Sequence, residues 1–85
     1  MATLRLAEDV RNALHAALVE DQVVLAEMKG VKAEATARPG VFCYRIELPV
    51  PRPLDPEFVE LRRVSLFVRQ AADGWELFAI EGLNA

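Results

Sequence analysis

Residues 31–48 limit what this chain can fold into more than any other stretch. Residues 31–37 (Val-Lys-Ala-Glu-Ala-Thr-Ala) and 41–48 (Val-Phe-Cys-Tyr-Arg-Ile-Glu-Leu) flank Arg38-Pro39-Gly40. Both flanks alternate apolar with polar side chains, the period of a strand with one wet face. Pairing Arg38 with Val41 sets Ala37 against Phe42, Ala35 against Tyr44, Ala33 against Ile46 and Val31 against Leu48 on one face. On the other face Glu34 meets Arg45 and Lys32 meets Glu47, opposite charges directly across the ladder. A slip of one residue would scramble both faces. Pro-Gly favours a type II turn, which suits strand twist less well than the primed turns, so a longer loop is the alternative.

Upstream, residues 4–29 carry a helical stripe. Val10, Leu14, Ala17, Val24, Leu25 and Met28 recur at three- and four-residue steps, with Ala13 and Leu18 widening the band. Glu8 and Asp9 suit a helix N-terminus, and Lys29-Gly30 suits a last turn and left-handed cap. Asp21 interrupts the stripe. The competing reading ends the helix near Asp21 and makes 23–28 a strand, but that strand would overhang its partner. One helix of roughly 38 Å is the preferred expectation.

Downstream, Pro49-Val50-Pro51-Arg52-Pro53-Leu54-Asp55-Pro56 places four prolines in eight positions. Proline removes a backbone donor and fixes φ, so this segment predicts a stiff crossover that ends the strand. Its Pro53-Leu54-Asp55-Pro56 spacing matches a bare PxxP, without the flanking basic residue of a recognised ligand. Asp55-Pro56-Glu57 then resembles a helix start, predicting a short helical turn to about Leu61 with Phe58 and Leu61 tucked inward. Residues 64–70 and 75–80 form a second hairpin around Asp73-Gly74. Val64, Leu66 and Val68 share its core face with Trp75, Leu77 and Ala79. Ser65, Phe67 and Arg69 share the other with Glu76, Phe78 and Ile80. The expected fold is α+β: one long N-terminal helix packed on a four-stranded antiparallel sheet, in the order α-β-β-short helical turn-β-β, as a single domain over residues 1–85.

Composition narrows the function. Hydrophobic residues make up 53% of the chain, which argues against disorder. No apolar run approaches membrane length, and the N-terminus lacks a signal-peptide pattern. A lone Cys43 is consistent with a reducing compartment, so a cytoplasmic location is expected. The net charge is −3 and no basic tract appears, which disfavours a phosphate backbone as partner. Nucleophilic catalysis needs a nucleophile beside a base. The chain has one Cys (Cys43), one His (His15) and one Ser (Ser65), with Cys43 and His15 expected on different faces. A zinc site needs more His and Cys ligands than the chain holds. Glu27-Met28-Lys29 imitates the E-x-K of metal-dependent nucleases but lacks the upstream acid and lies in predicted helix. No glycine-rich phosphate loop exists, since the four glycines stand apart at 30, 40, 74 and 82. Neither a metal nor a cofactor is expected, nor enzymatic activity.

One surface remains. Phe67, Phe78 and Ile80 point away from the predicted helix with nothing predicted to cover them, and three such side chains rival the largest patch of an ordinary monomer. Arg69, Arg45 and Glu76 would rim that patch and set orientation. The expected function is a small intracellular protein–protein interaction module (adaptor, inhibitor or accessory subunit) that forms a homodimer. Two alternatives stand beside it. One is a small-ligand carrier or minor enzyme with a pocket between helix and sheet near Tyr44, Trp75 and His15. The other is single-stranded nucleic-acid binding by Phe67 and Phe78, disfavoured by the acidic Glu76 and Glu81 nearby.

Overall fold

The computed structural model describes residues 3–83 and replaces the expected long helix with a strand and two shorter helices. The order is β1 (Thr3–Leu6), α1 (Glu8–Ala16), α2 (Asp21–Met28), β2 (Glu34–Ala35), β3 (Val41–Arg52), β4 (Asp55–Ala71) and β5 (Gly74–Glu81). Among the described residues the sheet has five strands in the order β1-β5-β4-β3-β2. It is mixed, because β1 runs parallel to β5 while every other pair is antiparallel. A single helix over a four-stranded antiparallel sheet is therefore incorrect.

Each departure has a local cause. Thr3-Leu4-Arg5-Leu6 alternates, and its partner in β5 lies some seventy residues away, with Leu6 opposite Leu77. Just past this strand the Ala7 N–H donates to the Leu77 carbonyl at 2.9 Å, fixing the corner into α1. α1 then ends without glycine. The Val19 N–H reaches the Leu14 carbonyl at 2.8 Å and the Leu18 N–H reaches the His15 carbonyl at 3.0 Å. Those two bonds are a Schellman motif with Leu18 at the left-handed position, φ 60°. The hydrophobic contact that accompanies such caps is present in kind, since Leu14 and Val19 are both buried. Asp21 opens α2 and binds Arg11 of α1 at 3.2 Å, so the residue that interrupts the apolar stripe belongs to a corner. Val10 with Leu14, and Val24 with Met28, supply the buried i, i+4 pairs of the two helices.

The prolines do not end the strand. β3 runs through Pro49 and Pro51, which pair with Leu61 and Val59 of β4. The Val41 carbonyl accepts from the Thr36 N–H on the β2 side. By the alternation of an antiparallel ladder, odd-numbered residues of β3 direct their main-chain groups away from β4. Pro49 and Pro51 occupy such positions, so their missing donors fall on the outer edge and no bond to β4 is lost. The expected crossover and helical turn are instead a long two-stranded ribbon. Pro53-Leu54 forms its turn, and residues 56–58 bulge between the Arg52–Asp55 and Pro51–Val59 pairs.

α1 packs on β5 and α2 on β3, both on one face of the sheet. Beneath them lie Ile46, Leu48, Val50, Val64, Leu66, Val68 and Leu77, with Phe42, Tyr44 and Trp75 at the margin. Full burial of each leucine contributes about 1.5–3 kcal/mol, so this layer dominates the stability of so small a domain. The helices cover only part of the 39 Å long axis. The far end of the β3–β4 ribbon, residues 49–62, extends past them as an arm whose root stays covered on the helix side, where Val50 is buried and the end of α1 and Leu83 lie near Glu60 and Arg62.

Candidate interaction surface

The sheet face turned away from the helices changes character along its length. At the end nearest β1, Glu76 binds Arg69 at 2.7 Å and Arg5 at 3.2 Å. The Glu76 carboxylate is 14% exposed beneath the two guanidinium groups. Its pKa is held below the ordinary value, chiefly by the hydrogen bond from Arg69, against an opposing push from desolvation. Arg69 stands opposite Glu76 across the ladder, and its guanidinium also stacks over the Phe78 ring at 4.6 Å, a cation–π contact.

Phe67 comes next, paired with Cys43 on one side and Ala79 on the other. Phe67 and Phe78 are half-buried and lie outside the helix-side core. Ile80 does not join them. β5 carries one extra residue, Phe78, between the Phe67–Ala79 and Val68–Leu77 pairs. This bulge reverses the alternation, so Ile80 falls opposite Leu66 and packs into the core while Ala79 turns outward. The expected trio of Phe67, Phe78 and Ile80 on one face is thus a pair, partly roofed by Arg69.

A charged belt follows. Arg45 reaches Glu34 at 3.6 Å and Arg63 reaches Glu47 at 3.8 Å, all well exposed. Glu34 sits opposite Cys43, two residues from the expected register, and the ion pair forms on the diagonal. A two-residue shift keeps every side chain on its face, which is why the apolar set Phe42, Tyr44, Ile46 and Leu48 points to the core all the same.

Beyond the belt lies the arm. Pro49 with Leu61 and Pro51 with Val59 make two apolar cross-strand pairs. Val59 is 56% exposed, Phe58 63%, Leu61 66% and Leu54, at the tip, 100%. Phe58 and Leu61, expected to tuck inward, are among the most exposed apolar side chains described. A signal for this does exist in the sequence. In the core part of β4 the even positions Val64, Leu66 and Val68 are apolar, whereas nearer the tip Val59 and Leu61 are, and the consecutive Arg62-Arg63 marks the change of phase. No described strand lines either edge of the ribbon, although Leu83 lies near Glu60 and Arg62 on the β4 side. Among the described residues β2 pairs with β3 only at Phe42 and Cys43, and the last β4–β5 pair is Ser65–Glu81.

The other candidate features lie apart from this face. A cavity of about 320 Å³ opens between α2 and the β1 end of the sheet, lined in part by Tyr44 and Trp75. His15, expected near it, is an exposed residue of α1 and does not line it. Cys43 is buried beside Phe67 on the opposite side of the sheet from the helices. Among the described residues no group of three His, Cys, Asp or Glu is placed to hold a metal ion. No described helix is long and apolar enough to cross a membrane. No protein-family model, curated protein or solved structure matches the chain.

Proposed function

We propose that this chain is a non-enzymatic protein–protein interaction module, that the β3–β4 arm is its contact element, and that a second copy of the chain is its partner. The observation that carries the reading is the exposure of Leu54, Phe58, Val59 and Leu61 at the tip and along the ribbon face turned away from the helices, which no described element covers. The largest apolar patch of an ordinary monomer is about 300–600 Å², and four large side chains more than half exposed lie in that range. A stable interface takes about 800 Å² from each partner, so the arm supplies the centre of a contact and its backbone edge must supply more.

The two edges differ. Prolines guard β3, whereas Val59 and Leu61 of β4 direct free N–H and C=O groups outward. Gly82 lies against the Arg63 carbonyl and closes the edge there. An antiparallel pairing of two copies through the remaining stretch, residues 59–62, has two registers about a two-fold axis. With Val59 opposite the partner's Leu61, Glu60 faces the partner's Glu60. With Leu61 opposite the partner's Leu61, Glu60 faces the partner's Arg62, twice over, so the bond at 3.2 Å that joins Glu60 to Arg62 within each chain is extended across the axis into a four-charge cluster. Opposite-charge pairs across a ladder stabilise by about 0.2–1 kcal/mol each and like charges destabilise, so charge selects the second register. Of the residues expected to orient the contact, Arg45 stands nearest the arm in the charged belt, while Phe67, Phe78, Arg69 and Glu76 lie toward the β1 end and outside this contact. An intracellular setting is part of this reading and rests on the lone Cys43.

Sedimentation of charge variants tests it. Glu60→Arg and Arg62→Glu each place like charges across the axis, so each alone is expected to be monomeric at concentrations where the wild type dimerises. A mixture of the two restores a one-to-one dimer. Wild type that stays monomeric up to millimolar concentration overturns the reading, and variants that dimerise as wild type does overturn the register.

A further inference from the structure

We infer that the cavity at the β1 end of the sheet is a binding site for a neutral, planar aromatic molecule of one or two rings. The inference is independent of the arm, which lies at the other end of the long axis. The cavity's size, about 320 Å³, falls at the lower end of the range for small-molecule sites, roughly 300–1,000 Å³, and suits a bicyclic guest rather than a nucleotide or a larger cofactor.

The lining chooses the chemistry. Among the described residues no charged side chain faces the cavity; its walls come from Leu4, Met28, Phe42, Val68 and Trp75. A charged ligand would lose its hydration with nothing to replace it, which disfavours carboxylates, phosphates and amines in the interior. Phe42 and Trp75 meet edge to face, with centroids 5.6 Å apart and planes at 73°. A third ring entering beside them extends the same arrangement, which aromatic quadrupoles prefer over a stacked sandwich. The Met28 thioether adds a polarisable wall that accommodates ring edges. Tyr44 and Thr3 are the two lining residues with a side-chain hydroxyl, so a guest with a single hydroxyl or carbonyl substituent can be oriented by one hydrogen bond. Water in such a space has few partners, and an apolar guest that displaces it gains affinity.

Trp75 is the only tryptophan in the chain, so its single indole N–H resonance reports on the site directly. The experiment titrates the full chain with 2-naphthol, with naphthalene-2-sulfonate of the same ring size, and with decanoate, in ¹H–¹⁵N spectra. Saturable movement of the Trp75 indole signal by 2-naphthol, at least tenfold weaker for the sulfonate and for decanoate, is the supporting result. Tyr44→Phe should lower 2-naphthol affinity about fivefold, the worth of one hydrogen bond. Ala33→Leu, at the half-buried mouth outside the helices and the strands, should fill the space and abolish binding, its folding verified by an otherwise unchanged spectrum. Equal response to naphthol and sulfonate, tighter binding of decanoate, no response to any probe, or wild-type binding by Ala33→Leu would each overturn the assignment.

Discussion

Phe67 and Leu61 lie in the same strand on the same face of the same sheet, six positions apart, and their surroundings differ completely. Phe67 has a strand on either side, the small Ala79 and Cys43 across from it, and Arg69 arching over the neighbouring Phe78. Leu61 has one neighbouring strand, a proline across from it, and no described strand along its other edge. An apolar side chain on a sheet face is sheltered as much by the strands flanking its own as by whatever packs above it. A two-stranded ribbon withholds both kinds of cover. The helices add to the contrast. A single rod of the length expected from the apolar stripe would nearly span the molecule, whereas the reversal at Leu18 folds α2 back over β3 and confines the cover to the body.

Leu66→Ala and Leu61→Ala exploit this contrast most strongly. Leu66 is fully buried, so its truncation should remove about 2–5 kcal/mol of unfolding free energy, whereas Leu61→Ala should stay within about 0.5 kcal/mol. Urea titrations under monomeric conditions measure both, and similar losses would mean that the arm is packed in solution.

Gly74→Ala probes the closed end of the body. A Cβ there would run into the Thr3 carbonyl, so β1 must shift away from β5. The expected loss is about 1–3 kcal/mol, as for overpacking, with faster amide exchange along β1 and Arg5 released from Glu76. A neutral effect would show that β1 is not held against β5 at Gly74 as described.

Leu18→Gly should act in the opposite sense. A non-glycine residue at the left-handed position carries about 1–2 kcal/mol of strain, and Leu18 is half exposed, so glycine should gain up to about 1 kcal/mol after its own entropic penalty. Thermal melts beside Leu18→Ala, which relieves no strain, separate the effect from lost burial. A loss with glycine would deny that Leu18 ends α1 as described.

The smallest effect belongs to Glu76. Its pKa is lowered in the fold, so its ionic contribution is present above the ordinary glutamate value and fades as pH falls through the lowered one. Glu76→Gln should therefore be less stable than wild type at neutral pH, and the gap should close in acid below the ordinary value of 4.5. A pH-independent gap would assign the loss to packing.

Much of the body was legible in the sequence because strand parity is a strong local signal. Alternation placed Phe42, Tyr44, Ile46 and Leu48 on the helix side, with Val64, Leu66, Val68 and Leu77, and put Arg69 and Glu76 together on the other face. What escaped was non-local or unmarked. β1 finds its parallel partner only after almost the whole chain has been laid down. α1 stops at a leucine where glycine is the usual sign. The Phe78 bulge exchanges Ala79 and Ile80 without any Gly or Pro to announce it. The prolines misled for a physical reason: they forbid a central strand but are tolerated at an outer edge, and only knowledge of which strand lies next to β3 tells the two apart. The arm went unread for the same reason, since a predicted helical turn conceals the change of phase at Arg62-Arg63.

Sedimentation velocity of wild type, Leu61→Asp and Phe67→Asp over a range of concentrations tests the central claim most directly. The arm as contact element predicts a concentration-dependent dimer for wild type and for Phe67→Asp, with the folded Leu61→Asp chain monomeric throughout. A dimer lost in Phe67→Asp but kept in Leu61→Asp would return the contact to the body of the sheet and contradict the account.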